Sequence, residues 1–442
     1  MNRLKNIHNQ RTCYIIGKGA SLDRIASSCI LTRIKAEGSC PVIALNETIT
    51  KIEKLELDNP VYSLQQDGLE QCMRLPKKAT LLLSHNRSDR YFTDYPHRFI
   101  YDQVKDFHMP DKLFTACTAM EFAKLMGCSE IVFIAFDAVT DSDKGYPTCL
   151  GELYRNSMND GDRFKRFGEQ LKLKVGEMGI PASFYSINQE KFFPINIGNF
   201  TVMTCTGDRP LAFSLCRRFL MRQTVFPRRW IVVDDGTKPL SWGQYCGAHY
   251  IRRIPKASDP SHTLPVNILA GMPYVATDKL VFFEDDDWYR NDFLEKIGEA
   301  LSSNEIVGQA NSIYYRIMRR EYRILSNTNH AGLWSTGIGK SMQASLKNAC
   351  VKRSMHERRP FLVDRVLWRK AQNAKIGFLY RDPYTVGIKE MPGRRGKTMG
   401  WGSEEKGFIA DERMDFLANI IGDDVNDYVA IAEGRKQLWQ TE

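Results

Sequence analysis

Short apolar runs alternate with stretches of helical periodicity along the whole chain, and this pattern predicts α/β architecture with largely parallel sheets. In the first half Thr12–Ile16, Pro41–Leu45, Val61–Leu64, Thr80–Ser84 and Ile131–Phe136 read as strands, and Thr115–Met126 reads as a helix. The pattern restarts with Thr201–Thr206, Trp230–Val233, Tyr250–Ile254 and Leu280–Phe283. Between the two sets, Pro194, Asn196, Gly198 and Asn199 mark a boundary near residue 196. A chain of 442 residues exceeds what one hydrophobic core usually organises. Two domains are therefore expected: residues 1–195, doubly wound, and residues 196–442, a second α/β domain ending in a helical tail.

Composition narrows the class. With 43% hydrophobic and 26% charged residues, the chain is that of a folded protein, not a disordered or fibrous one. The N-terminus lacks an apolar stretch suited to a signal peptide, and no run approaches the roughly 20 apolar residues of a membrane span. A cytoplasmic protein with no integral membrane segment is expected. The eleven cysteines include no Cys-x-x-Cys pair, so they read as reduced and structural. About +8 of the net charge of +10 falls after residue 195. The densest part, residues 340–397, carries 15 Lys and Arg against 4 Asp and Glu, a field that would attract a nucleoside diphosphate, nucleic acid or acidic lipid.

In the first half, the strand ending at Ile16 runs into Gly17-Lys18-Gly19-Ala20-Ser21. Glycines let a backbone approach an anion and a helix N-terminus offers it N–H groups, so a phosphate is one reading and a tight turn without a ligand is another. Gly17, Gly19, Ser21, Asn46 after the second strand and Asp137 after the last form the candidate ligand site. In this order the half resembles the Rossmann-like domain of bacterial sialyltransferases and pterin diphosphokinase-like proteins, which implies a nucleotide or related ligand and allows a second transferase. His85, His97 and His108 are catalytic candidates by residue type only.

The second half carries acids at strand ends. Trp230-Ile231-Val232-Val233 is followed by Asp234-Asp235-Gly236, and the C-terminal edge of such a sheet is where ligands bind. Carboxylates there can accept hydrogen bonds from a nucleobase or ribose. Leu280-Val281-Phe282-Phe283 is followed at once by Glu284-Asp285-Asp286-Asp287. Four adjacent carboxylates repel one another unless a cation or strong donors neutralise them, and a hard divalent ion bridging to a diphosphate does so. Alternation along an extended turn puts Asp285 and Asp287 on one side, with Glu284 and Asp286 in support.

Together with Thr204 and Arg209-Pro210, these motifs resemble the GT-A-fold glycosyltransferases of family 2 with their Asp-x-Asp signature. The resemblance implies a nucleotide-diphospho-sugar donor, Mn2+ or Mg2+, and inversion at the anomeric carbon. It assigns Thr204, Arg209, Asp234, Asp235 and Asp285 to the nucleotide sugar, and Asp285 and Asp287 to the metal. It also implies an acidic base at the start of a later helix. Asp364 in Arg359-Pro360-Phe361-Leu362-Val363-Asp364 fits that place, a helix cap being the competing reading and Glu357 the second choice. Val386–Lys397 reads as a basic loop in which Arg394 and Arg395 would close over the diphosphate. His330 and Trp334 are placed near the acceptor by the same order, with core packing as the alternative for Trp334. The expected activity is transfer of a sugar to a saccharide or lipid-linked glycan. The alternatives are transfer to hydroxymethylated bases of viral DNA, and a non-catalytic sugar-nucleotide-binding protein.

Overall fold

A computed structural model describes residues 2–66, 74–85, 88–107, 109, 114–140, 161–241, 247–355, 362–379, 383–394 and 407–435. The chain divides into two compact units, Met1–Ile195 and Asn196–Glu442.

The first unit is built on one sheet: β1 (Thr12–Ile16), β2 (Val42–Leu45), β3 (Val61–Gln65), β4 (Thr80–Ser84), β5 (Arg98–Tyr101), β6 (Glu130–Ile134), β7 (Ala182–Ser186) and β8 (Lys191–Pro194). Their order is β5-β4-β3-β2-β1-β6-β7-β8, and only β8 runs antiparallel to its neighbour. The central strands are buried on both faces, which is why they read as unbroken apolar runs rather than alternating ones. The helix Cys29–Ala36 contributes Ile30, Leu31 and Ile34 to a core against β1 and β2. The strand order reverses between β1 and β6, so the carboxyl ends of those two strands flank the switch point. β5 and β8 lie at the sheet edges and are half exposed, so their sequences lack the apolar signature of the centre.

The second unit holds two sheets. The larger has the order β11-β10-β9-β12-β17-β14-β18, with β9 (Ile197–Thr206), β10 (Phe226–Asp234), β11 (His249–Arg252), β12 (Leu280–Phe282), β14 (Ile306–Gln309), β17 (Gly337–Ile338) and β18 (Ile376–Leu379). The smaller joins β13 (Trp288–Tyr289), β19 (Thr385–Lys389), β15 (Ile313–Arg316), β16 (Glu321–Ile324) and β20 (Ile409–Ala410) in that order. β9 to β12 are parallel, and β17 is antiparallel to both its neighbours, so the sheet is mixed. Met203 on β9 faces the core formed with Ile268, Leu346 and Trp368 from three helices. On the opposite face Trp230 stacks on Phe213 of the helix Pro210–Met221, with ring centroids 5.7 Å apart.

This topology fixes the site. β10 lies on one side of β9 and β12 on the other, so the switch point of the parallel strands falls between β9 and β12. The chain leaves the larger sheet at Phe282 and enters the smaller at Trp288, so Phe283–Asp287 is the link between the sheets and stands at that switch point. The helices Asp415–Ile421 and Val425–Ala432 follow, and Asp424 between them accepts hydrogen bonds from Arg222 and from Trp288 Nε1 at 2.8 Å. Among the described residues no helix is long and apolar enough to cross a membrane.

Candidate active site

The acids of the link do not point as strict alternation predicts. Carboxylate oxygens of Glu284, Asp286 and Asp287 lie within 4.8 Å of one another, whereas Asp285 is drawn off by Thr206 Oγ1 at 2.6 Å and Arg209 Nη2 at 2.6 Å. Arg209 bridges to Asp286 at 2.7 Å. The carboxylates that converge are thus Glu284, Asp286 and Asp287, with Asp285 held by Thr206 and Arg209. Thr206 at the end of β9 bonds Asp285, while the Arg209 guanidinium holds both Asp285 and Asp286.

Asp287 is 1% exposed. Its Oδ1 accepts hydrogen bonds from the backbone N–H of Ile388 at 2.8 Å and from Lys389 Nζ at 3.2 Å, while its Oδ2 has no hydrogen-bond partner. A buried carboxylate oxygen without a partner is costly unless a cation sits against it. Burial pushes the Asp287 carboxyl up to about 7, with Lys389 pulling it back, and burial pushes Asp285 up to about 6 against the pull of Arg209. Burial and the charges of Asp287 and Asp286 drive Glu284 well above the usual carboxylate range. Three carboxylates with converging oxygens, one of them also holding an unpartnered oxygen, fit a divalent cation such as Mn2+ or Mg2+.

The acids that end β10 differ from each other. Asp234 is saturated by local structure: Gly236 N–H at 2.9 Å, Leu240 N–H at 2.9 Å and Tyr250 O–H at 2.7 Å all donate to it. It organises its own turn. Asp235, 1% exposed, accepts from Arg253 Nη2 at 2.9 Å and from Arg394. Burial alone would raise its pKa, but the hydrogen bond from Arg394 and its charge outweigh that and hold Asp235 below the usual value. Two glycines permit this meeting of loops. A Cβ on Gly207 would stand 2.3 Å from Asp235 Oδ1, and one on Gly393, at φ +112°, would stand 2.3 Å from the Asp208 carbonyl.

Thr204 is fully buried. Its Oγ1 donates to the Phe283 carbonyl at 2.7 Å and accepts from Trp230 Nε1 at 3.0 Å, pinning β9, β10 and the end of β12 together in the core. Thr206, two residues on, reaches the acids instead. The expected basic loop is also partly a strand, since β19 is buried along its whole length and carries Lys389 into the acidic cluster. A lysine directly after the apolar run Val386–Ile388 was the signal for that burial. Arg395 and Glu357 lie outside the described residues, as does His108.

Asp364 begins the helix Val363–Lys370, where its Oδ1 accepts the Arg365 N–H at 2.7 Å. Desolvation pushes its carboxyl up to about 6. Burial pushes the Tyr314 hydroxyl above its ordinary value, with the charge of Lys389 opposing this and those of Asp364, Asp287 and Glu284 adding to it. Trp334 is core: its indole N–H donates to Thr385 Oγ1 at 3.2 Å, and its carbonyl accepts from Tyr289 O–H. His330 contacts its neighbour Asn329 at 3.0 Å, and loss of water lowers its pKa.

In the first unit, the donors expected to cradle a phosphate are spent. Gly17 N–H donates to Ile134 O and Gly19 N–H to Ala135 O, each at 2.8 Å. The Ser21 N–H and Oγ–H both donate to Asp137 at 2.6 Å. Asp137 thus stands where an anion would, and a Cβ on Gly19 would meet its carboxylate at 2.6 Å. The glycines serve close packing of the turn on the end of β6. Asn46, at φ +50°, accepts the Gln66 N–H at 3.3 Å. His85 pairs with Asp89 at 3.2 Å on an exposed surface.

No protein-family model matches the sequence, and no curated protein matches it. Among solved structures, the chain is similar to that of Staphylococcus aureus TarS residues 1–349, at 14% identity and a TM-score of 0.32 over 44% of this chain and 60% of that one. The same fragment in complex with UDP-GlcNAc aligns at 14% identity and a TM-score of 0.31, over 46% of this chain and 60% of that one. With TarS itself the identity is 12% and the TM-score 0.30, over 44% of this chain and 36% of that one. The matched region thus spans less than two thirds of each of these proteins.

Proposed function

We propose that the second unit is a metal-dependent, inverting glycosyltransferase that moves a sugar from a nucleotide-diphosphate donor to a hydroxyl of a saccharide or lipid-linked glycan. The observation that carries this reading is the trio Glu284, Asp286 and Asp287 at a parallel-sheet switch point, whose member Asp287 keeps a buried Oδ2 without a hydrogen-bond partner. Held there, a divalent ion would supply positive charge to the donor's diphosphate.

This chain's own residues account for the rest. Arg209 bridges Asp285 and Asp286 at the edge of the cluster and offers guanidinium N–H groups to phosphate oxygens. Arg394 is 38% exposed and reaches Asp235 from a loop. When a donor binds, it exchanges that carboxylate for the diphosphate and leaves Asp235 to accept hydrogen bonds from the nucleoside. Asp364 takes the proton of the acceptor hydroxyl as its oxygen bonds to the anomeric carbon and the bond to the phosphate oxygen breaks. A carboxyl raised to about 6 is a stronger base than an ordinary aspartate and is still ionised at neutral pH.

The test is incubation of the full chain with a panel of nucleotide sugars and Mn2+, reading release of the nucleoside diphosphate. Release that stops with chelator and falls at least about a hundredfold in Asp287→Asn supports the reading. Release unchanged in Asp287→Asn removes it.

A further inference from the structure

Lys389 is an unusual neighbour for a metal site. It ends β19, its side chain is 3% exposed, and its Nζ lies 3.2 Å from Asp287 Oδ1. Two aromatic faces line its other side, Trp334 with its ring centroid 5.5 Å from Nζ and Tyr314 at 5.9 Å. Burial alone would strip the proton, but the charges of Asp287, Asp286 and Glu284 hold the lysine above its ordinary value. These are the same three acids whose oxygens converge. The Lys389 ammonium thus stands at hydrogen-bond distance from a carboxylate proposed to hold the divalent ion.

We propose that Lys389 is a resident counter-ion that weakens capture of a divalent metal by the acidic cluster alone. With all three carboxylates ionised, as metal ligands must be, the trio carries three negative charges, and the ammonium offsets one of them at hydrogen-bond distance. Repulsion between two cations sharing one carboxylate is strong where water is excluded, so the metal gains less here than at an unshielded trio. Resting on the glycosyltransferase reading, the consequence is that tight metal binding waits for the negative charge of the donor's diphosphate. Metal and donor then bind cooperatively, each raising the other's affinity by the same factor. Lys389 does not orient the Asp287 carboxylate by itself, because the Ile388 N–H also holds its Oδ1, at 2.8 Å.

The experiment titrates Mn2+ into the full-length chain, alone and with each common nucleoside diphosphate, following free Mn2+ by electron paramagnetic resonance. Lys389→Met is compared with wild type, and Lys389→Arg serves as the charge-conserving variant. Lys389→Met is expected to bind Mn2+ alone at least roughly tenfold more tightly than wild type, with Lys389→Arg close to wild type. The gain that a nucleoside diphosphate gives should shrink in Lys389→Met by the same factor. Unchanged or weaker Mn2+ binding by a folded Lys389→Met, including no binding by either protein, overturns the proposal, as does a Lys389→Arg that binds like Lys389→Met. If Lys389→Met tightens Mn2+ while no nucleoside diphosphate alters the metal affinity of any variant, the role of the lysine stands and the donor reading falls.

Discussion

Asp364 shows how one side chain can be tested from two directions. Its carboxyl is raised from the ordinary value near 3.9 to about 6, so between those values the folded chain holds a proton that the unfolded chain has released. The stability it contributes is present below about pH 4 and is lost as pH rises through about 6. Asp364→Asn should therefore melt at a higher temperature than wild type at pH 7 and show no such gain at pH 4, by calorimetry. Turnover should move the other way: wild-type rate rises with pH through about 6, and the Asn variant loses roughly 10²–10⁴ of it. A variant that kept its rate would make Asp364 a helix-terminus residue and nothing more. Thr204 makes the converse case. Removing its hydroxyl leaves the Phe283 carbonyl and the Trp230 N–H unpaired in the core, so Thr204→Val should cost about 1–3 kcal/mol in urea denaturation. Its nucleotide preference should not change.

At the scale of elements, legibility followed burial only in part: β7, β14, β15 and β19 are as buried as the strands legible in the sequence, yet none of them is predicted. β1, β4 and β12 were readable because central strands are apolar on both faces, and the acids were readable because they follow such a strand directly. Edge strands such as β5 and β20 have no such run. What the sequence could not supply was the direction of each side chain in an irregular link. Whether Asp285 or Asp286 joins the cluster depends on Arg209 and Thr206, which lie far from the link along the chain and are brought to it by strand order. Likewise Gly17 and Gly19 look the same in sequence whether their N–H groups face a phosphate or the end of β6. The loops at Gly207, Gly236 and Gly393 are packed so closely that a methyl group has no room. Gly207→Ala should lower stability by about 1–3 kcal/mol and weaken donor binding, because the new Cβ displaces Asp235 or the Arg394 that pairs with it. Unaltered nucleotide affinity in a folded Gly207→Ala would separate Asp235 from the donor site.

Across the molecule, the positive charge of the second half divides into inward and outward parts. Lys389 and Arg394 are spent on the acids of the site, and Lys340 pairs with Asp278 at 3.0 Å. Three of the fifteen basic residues in the stretch 340–397 are thus counter-ions to carboxylates. The central claim is that this cluster takes a nucleoside diphosphate together with a divalent ion. It is tested most directly by calorimetric titration of the full-length chain with nucleoside diphosphates, in Mn2+ and in chelator. The account predicts that one of them binds in Mn2+, that chelator abolishes the heat, and that Asp287→Asn abolishes it as well. Binding that is equal with and without metal, or no binding of any nucleoside diphosphate in Mn2+, would contradict it.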